Sequence, residues 1–136
     1  MKRLGNRGNR MTLNRMSALW ARTALLWFIA TMAFGMYLGM TEQFGMSSPH
    51  AHMGLLGWVS SALFAFLWSF CASDDQPRSA PLHWAVHNLG VATMVVGLFL
   101  TLGGRDMGLM IALGGAIVLV GTLWLAAMLW RRLSVR

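Results

Sequence analysis

Four histidines are the side chains of this sequence with the clearest capacity for chemistry. They form two pairs: His50 and His52 within Pro-His-Ala-His-Met, and His83 and His87 within His-Trp-Ala-Val-His. All four lie inside or at the edge of strongly apolar segments, where ionisable side chains are rare and are candidates for function. Because a neutral imidazole binds transition metals, both pairs are candidate metal ligands.

The spacing within the two pairs predicts different geometries. On an α-helix that turns by about 100° per residue, His50 and His52 project about 200° apart and serve two different faces. His83 and His87 are four residues apart, share one face and could chelate a single metal ion. For either pair, the alternative is a buried imidazole hydrogen-bonded to a backbone carbonyl. His83 and His87 could also form a hydrogen-bonded contact between helices or a point of proton entry.

The segments that must position these histidines are long enough to cross a membrane. Of the 136 residues, 57% are hydrophobic and only 11% are charged, whereas about a quarter are charged in an ordinary soluble domain. Four apolar stretches approach the ~20 residues that span a bilayer core; they run over about 23–40, 50–71, 82–102 and 107–130. The short loops between them require antiparallel neighbours. We therefore predict an all-α integral membrane protein, an up-down bundle of four transmembrane helices in the lipid bilayer.

The basic residues predict the orientation of this bundle. Only Arg105 lies on one side of the predicted membrane, and the other ten lie on the opposite side: Lys2, Arg3, Arg7, Arg10, Arg15, Arg22, Arg78, Arg131, Arg132 and Arg136. By the positive-inside rule, both termini are expected in the cytoplasm, with 1–22 and 131–136 as basic tails and the inner membrane of a bacterium as the location. The net charge of +7 does not predict nucleic-acid binding, because it is concentrated on tails that flank apolar runs.

This orientation separates the two histidine pairs. His52 falls near the outer end of the second helix and His87 near the inner end of the third, so the α-helical rise predicts about 20 Å between their depths. The two pairs are therefore expected to be separate sites. A centre built from more histidines than one pair needs further copies of the chain or a partner protein.

Tryptophans are frequent near the predicted inner boundary. The amphipathic indole ring favours the headgroup region of a membrane. We expect an interfacial belt on that side, formed by Trp20, Trp27, Trp84, Trp124 and Trp130.

The nine residues His50-Ala-His-Met-Gly-Leu-Leu-Gly-Trp58 resemble the His-x-His helix of haem-copper oxidase subunit I, especially in its cbb-type cytochrome c oxidase and nitric oxide reductase branches. In that family the first histidine binds the high-spin haem and the second the low-spin haem, both near the outer face of the membrane. The family's twelve helices form three four-helix arcs, and this chain resembles one arc standing alone. The resemblance implies that His50 and His52 are haem ligands and that Arg105, between the last two helices, holds haem propionates.

The chain departs from the family in ways that limit the expected activity. Oxygen reduction in the family uses a copper held by three histidines, one of them linked to a tyrosine. The only tyrosine in the sequence, Tyr37, lies in the first predicted helix and outside any such motif, so the isolated chain is not expected to be a terminal oxidase. Two imidazoles suffice for a low-spin haem, and a homo-oligomer such as a trimer supplies them by symmetry. Other respiratory subunits are further expected partners.

The leading interpretation is a protein that binds haem b and works in electron transfer or in binding haem or a gas. The alternative is a copper carrier or an oxidase assembly factor, because thioether and imidazole together suit Cu(I). Its ligands would be the outer histidines with Met32, Met36, Met40, Met46 and Met53. Met53 is also a candidate axial haem ligand. Core filling is the structural alternative for the methionines, and a subunit whose histidines only pack is the third interpretation.

Overall fold

The computed structural model describes residues 13–71 and 76–130 and contains four long helices. They are α1 (Arg15–Thr41), α2 (Phe44–Ser69), α3 (Ala80–Leu102) and α4 (Gly108–Leu129). Each is long and apolar enough to cross a membrane, and the described ranges contain no strand. The prediction of an all-α membrane protein with four spanning helices is confirmed.

The first helix begins earlier than the apolar stretch that predicted it. α1 starts at Arg15, so residues 15–22 are helical and do not belong to a tail. Asn14 is the reason, because its side-chain oxygen accepts a hydrogen bond from the Ser17 N–H at 2.8 Å and caps the helix. Hydropathy marks the lipid-facing part of a helix, whereas the cap marks where the helix begins. The remaining parts of the predicted tails lie outside the described residues: 1–12 and 131–136.

The Asn14 amide also ties the start of α1 to the end of α2. Its Nδ2 donates to the carbonyls of Trp68 and Cys71, the second at 2.8 Å. We expect Asn14→Ala to lower the free energy of unfolding by about 2–3 kcal/mol, about 1 for the cap and about 1 for each carbonyl that loses its donor. Asn14→Asp keeps the cap oxygen but turns a second acceptor oxygen toward the two carbonyls, so it should not restore the stability that Asn14→Ala loses. Denaturant unfolding in detergent measures both variants, and wild-type stability of Asn14→Ala would contradict this role.

The second helix changes its hydrogen-bonding pattern along its length. A 3₁₀ turn at Phe44–Met46 leads into an α-helical stretch at Ser47–His52. The segment Met53–Val59 is a π-helix, and α-helical geometry resumes at Ser60–Ser69. Because a π-helix holds more residues per turn than an α-helix, it rotates the side chains that follow it. Such segments frequently occur at functional sites, and this one begins directly after His52.

Contacts between helices build the bundle from two close pairs. α1 packs along α2, α3 packs along α4, and α2 also contacts α3. Two indole N–H groups join α1 to α3: Trp27 donates to Asn88 Oδ1 at 3.0 Å, and Trp84 donates to Thr23 Oγ1 at 2.8 Å. Polar side chains that bond across helices in an apolar surrounding fix how the helices pair. These two bonds therefore set the register of α1 against α3.

The buried core separates into two clusters. We call the end of the bundle where α1 begins the inner end, following the predicted orientation. The inner cluster consists of Met16, Trp20, Phe64, Ala65, Trp68, Cys71, Ala80, Leu125 and Leu129. The outer cluster consists of Met53, Val91, Val95 and Val118. Trp20 is 0% exposed, so its expected place in an interfacial belt is wrong. Its ring packs against Phe64 of α2, with 5.0 Å between ring centres.

Candidate functional site

His52 is the last residue of the α-helical stretch that precedes the π-helix. Its Nδ1 donates a hydrogen bond to the Ser48 carbonyl at 2.8 Å, one turn earlier on the same helix. Because a carbonyl only accepts, the neutral ring carries its proton on Nδ1 and its lone pair on Nε2. Proteins orient metal-ligating histidines by such a bond. The ring is half-buried, so a ligand can reach Nε2 from outside the bundle.

His50 turns toward α1 instead. A Cβ atom placed on Gly35 would lie 2.7 Å from the His50 Cε1, so the imidazole occupies the space that this glycine leaves. The Nδ1 of His50 is buried without a hydrogen-bond partner among the described residues, and the ring centre of Phe34 lies 6.1 Å away. The two histidines of the outer pair therefore serve different faces of α2, as their spacing predicts.

A groove of about 270 Å³ lies between α1 and α2 next to His50. Its walls are almost entirely apolar. The residues that line it include Phe28, Thr31, Met32, His50, Gly54 and Trp58. The Thr31 hydroxyl is buried without a hydrogen-bond partner in the described part of the chain. An apolar groove with few polar groups, here one imidazole and one unbonded hydroxyl, has the general character of a small-molecule site.

Arg105 lies on the loop between α3 and α4, at the same end of the bundle as His50. Ring contacts establish this placement, because Phe34 packs against both His50 and Phe99 of α3, the latter with 5.1 Å between ring centres. The Arg105 N–H donates to the Leu100 carbonyl at 3.1 Å, and the side chain is exposed. The fold thus brings Arg105 to the end of the bundle that a role beside the outer histidines requires.

The methionines do not gather around the outer histidines. Three of them lie on the exposed surface of α1, namely Met32, Met36 and Met40, which are 50%, 64% and 82% exposed. This exposure excludes the core-filling alternative for these three. Met53 does fill the core, because it packs in the outer cluster with Val91, Val95 and Val118. Met32 is the methionine that lines the groove beside His50.

The inner histidines are fully enclosed, with His83 at 0% and His87 at 1% exposure. The Nε2 of His87 donates to the Leu56 carbonyl of the π-helix at 3.1 Å. Leu56 lies only about 6 Å of α-helical rise beyond His52. The expected separation of about 20 Å from His52 is therefore wrong for His87. That estimate counted helical rise from the predicted helix ends, whereas the packing of α3 on α2 brings the His87 ring to Leu56.

Aromatic rings from three other helices surround the inner pair. The ring centre of Trp20 on α1 lies 5.4 Å from that of His83 and 5.5 Å from that of His87. Phe64 on α2 contacts both imidazoles, and Trp124 on α4 contacts His83. Sequence reasoning missed this cluster, since its members are far apart in the chain. The spacing of the two histidines is the one signal that pointed to it.

In the described part of the chain, neither histidine pair is joined by a third histidine, cysteine or carboxylate side chain. Across residues 13–71 and 76–130, no group of three or more histidine, cysteine, aspartate or glutamate side chains is placed to hold a metal ion. A scan against protein-family models, a search of curated proteins and a search of solved structures found no match to this chain. Its function is therefore argued from the residues and their geometry.

Proposed function

We propose that this chain is a haem-binding membrane protein that works in electron transfer or in binding haem or a gas. The observation that carries the proposal is the bond between His52 Nδ1 and the Ser48 carbonyl at 2.8 Å. This bond orients the ring and leaves the Nε2 lone pair unbonded, so that His52 could hold the iron of a haem. When bound, haem b supplies an iron that carries one electron or binds a diatomic gas.

The surroundings of His50 fit the same kind of cofactor. Gly35 and Gly54 leave space on α1 and α2: a Cβ on Gly35 would strike the His50 ring, and one on Gly54 would touch Thr31 Cγ2 at 3.4 Å. The buried Nδ1 of His50 lacks a partner among the described residues, as expected of a histidine whose bonding partner lies outside them. Following the resemblance, we assign His50 to a different haem from that of His52.

A complete haem site calls for more than one bundle. Because His50 and His52 serve different faces, each face offers one imidazole, whereas a low-spin haem takes two axial ligands. We therefore propose a homo-oligomer, such as a trimer that reproduces three four-helix arcs, or assembly with other respiratory subunits. The exposed guanidinium of Arg105, at the same end of the bundle, would bind propionates through charge-assisted hydrogen bonds.

A copper carrier or an oxidase assembly factor is the second candidate function. One observation favours it: Met32 and His50 line the same groove, and a thioether with an imidazole is a ligand set that suits Cu(I). Met36 and Met40 continue the row of exposed thioethers along α1. In this function the groove would hold a single ion instead of a macrocycle.

Titration of the purified chain in detergent with haemin, and separately with Cu(I), distinguishes the two functions. Haem binding predicts a saturable Soret band together with quenching of tryptophan fluorescence, because Trp58 borders the groove. The copper function predicts Cu(I) binding that depends on His50 and Met32, with no saturable haem spectrum. A folded chain that binds neither would contradict both functions and favour a purely structural subunit.

Gly35→Ala tests whether haem binding depends on the position of the His50 ring. The added Cβ would lie 2.7 Å from His50 Cε1, so the imidazole must move. We expect haem affinity at the His50 site to fall by about 10-fold or more, the scale on which disturbed ligand orientation acts. Gly39→Ala is the matched control, because its Cβ would meet nothing within 4 Å. Haemin titration that gives equal affinity for both variants and the wild type would speak against a role for His50.

Both termini are proposed to lie in the cytoplasm, because ten of the eleven basic residues fall on one side of the helices. The test places single cysteines at Asp106 and at Ser134 in a Cys71→Ser background. A membrane-impermeant maleimide added to intact cells should label the cysteine at 106 and not the one at 134. The reverse labelling pattern would overturn the orientation.

A further inference from the structure

We propose that His83 and His87 form a second metal site, in the inner half of the bundle, that binds Cu(I). The two imidazoles carry ring nitrogens without hydrogen-bond partners among the described residues. Because the Nε2 of His87 donates to the Leu56 carbonyl, the lone pair of this ring lies on Nδ1. That Nδ1 and the Nδ1 of His83 are buried without a hydrogen-bond partner in the described part of the chain, while the Nε2 of His83 lies against the backbone of Gly121. Buried polar atoms are nearly always bonded, so these nitrogens point to a missing ligand.

The distance between the two rings suits one bridging ion. A metal–nitrogen distance of about 2.0 Å, with each ring centre about one ångström behind its nitrogen, gives about 6 Å between two imidazole centres on opposite sides of an ion. The ring centres of His83 and His87 are 6.4 Å apart. Both rings come from the same face of α3, one turn apart, so the helix holds them at this distance.

The lack of a negatively charged ligand beside His83 and His87 in the described part of the chain favours a monovalent ion. Among residues 13–71 and 76–130, no third histidine, cysteine or carboxylate joins the pair in a metal-binding group. A divalent ion would keep its full charge uncompensated in an apolar interior, which is costly. Zinc would also lack the four ligands of a closed site. Cu(I) carries a single charge, and imidazole is a ligand that suits copper.

Trp20 and Gly121 complete the site. The Trp20 ring lies nearly equidistant from the two imidazoles, at 5.4 and 5.5 Å between centres, and tryptophan is the strongest cation–π partner among the aromatic side chains. Across the pair, a Cβ on Gly121 of α4 would lie 3.9 Å from His87 Cβ and 4.0 Å from His83 Nε2. Gly121 therefore leaves the space beside the imidazoles that a larger side chain would fill.

The test is anaerobic titration of the full purified chain with Cu(I), in competition with a chromophoric Cu(I) chelator. We expect the double variant His50→Ala/His52→Ala, which lacks the outer histidines, to keep one tightly bound Cu(I) per chain. His83→Ala should weaken this binding by more than about 100-fold, because the loss of even an outer-shell partner costs about 10–100-fold in metal affinity. Cu(I) should quench Trp20 and Trp124, whose rings both lie against His83. Trp20→Phe should therefore reduce the quenching, whereas the exposed-site control Trp130→Phe should retain it in full.

The variant Gly121→Leu distinguishes loss of the metal site from loss of the folded structure. It keeps both imidazoles but fills the space beside them, so it should lose Cu(I) while its helix content and its elution as a single species stay unchanged. X-ray absorption of the copper-loaded wild type should show two imidazole nitrogens at about 2.0 Å. The proposal is overturned if the folded wild type binds no Cu(I), if His83→Ala binds it as tightly, or if the double variant loses it. The outer haem proposal can fail or hold independently of these results.

Discussion

His52→Ala is expected to abolish the low-spin haem spectrum that the proposed function predicts. The substitution removes the imidazole that the Ser48 carbonyl orients, which in the proposed function would hold the haem iron. The sharp bands of reduced bis-imidazole haem should therefore disappear. His50→Ala should keep these bands and alter a second site or the binding of gaseous ligands, because His50 faces Gly35 on α1.

His83→Ala and His87→Ala are the matched controls for this experiment. Both remove an imidazole from an apolar segment, but their rings lie in the inner half against Trp20 and Phe64. They should leave the haem spectrum nearly intact. If either of them abolished it while His52→Ala retained it, the haem would belong to the inner pair, and the resemblance to haem-copper oxidase subunit I would be misleading.

Gly114→Ala is expected to push α3 away from α4 and to destabilise the bundle. A Cβ at this position would lie 2.5 Å from the backbone nitrogen and 2.8 Å from the Cα of Met94, and backbone atoms cannot move aside as a side chain can. Overpacking of this kind costs about 1–3 kcal/mol, and close helix approach in membranes depends on such small residues.

The neighbouring residue provides the control for Gly114→Ala. At Gly115 an added Cβ would meet the terminal Cε of Met94 at 3.1 Å, and that flexible end can move away. Thermal unfolding in detergent should therefore show a clear loss of stability for Gly114→Ala and near wild-type stability for Gly115→Ala. Equal melting of the two variants would show that the contact between α3 and α4 is looser than the structure gives.

The four membrane spans could be predicted from sequence because their cause is local. Each apolar stretch has the length that a bilayer requires, and each overlaps one of the four long helices, although α2 begins at Phe44, six residues before the predicted stretch. The start of α1 could not be predicted in this way. It depends on Asn14, whose amide bonds carbonyls at the far end of α2, and a contact between residues so distant in the chain leaves no local pattern.

The candidate sites were predictable to different degrees. Helical geometry alone predicts that His50 and His52 project from different faces of α2. The structure shows this arrangement. The environment of His87 did not follow in this way, because its Nε2 bonds the Leu56 carbonyl of another helix, a contact that tertiary packing sets. The π-helix at Met53–Val59 and the burial of Trp20 against the inner histidines likewise depend on contacts among helices.

The visible absorption spectrum of the purified wild-type chain, recorded after supply of haemin and reduction, tests most directly the central claim that the outer histidines hold haem b. We predict sharp low-spin bands, haem b in the pyridine haemochrome assay, and the absence of both from His50→Ala/His52→Ala. A folded wild-type protein without haem bands, or bands of equal intensity in the double variant, would contradict the claim.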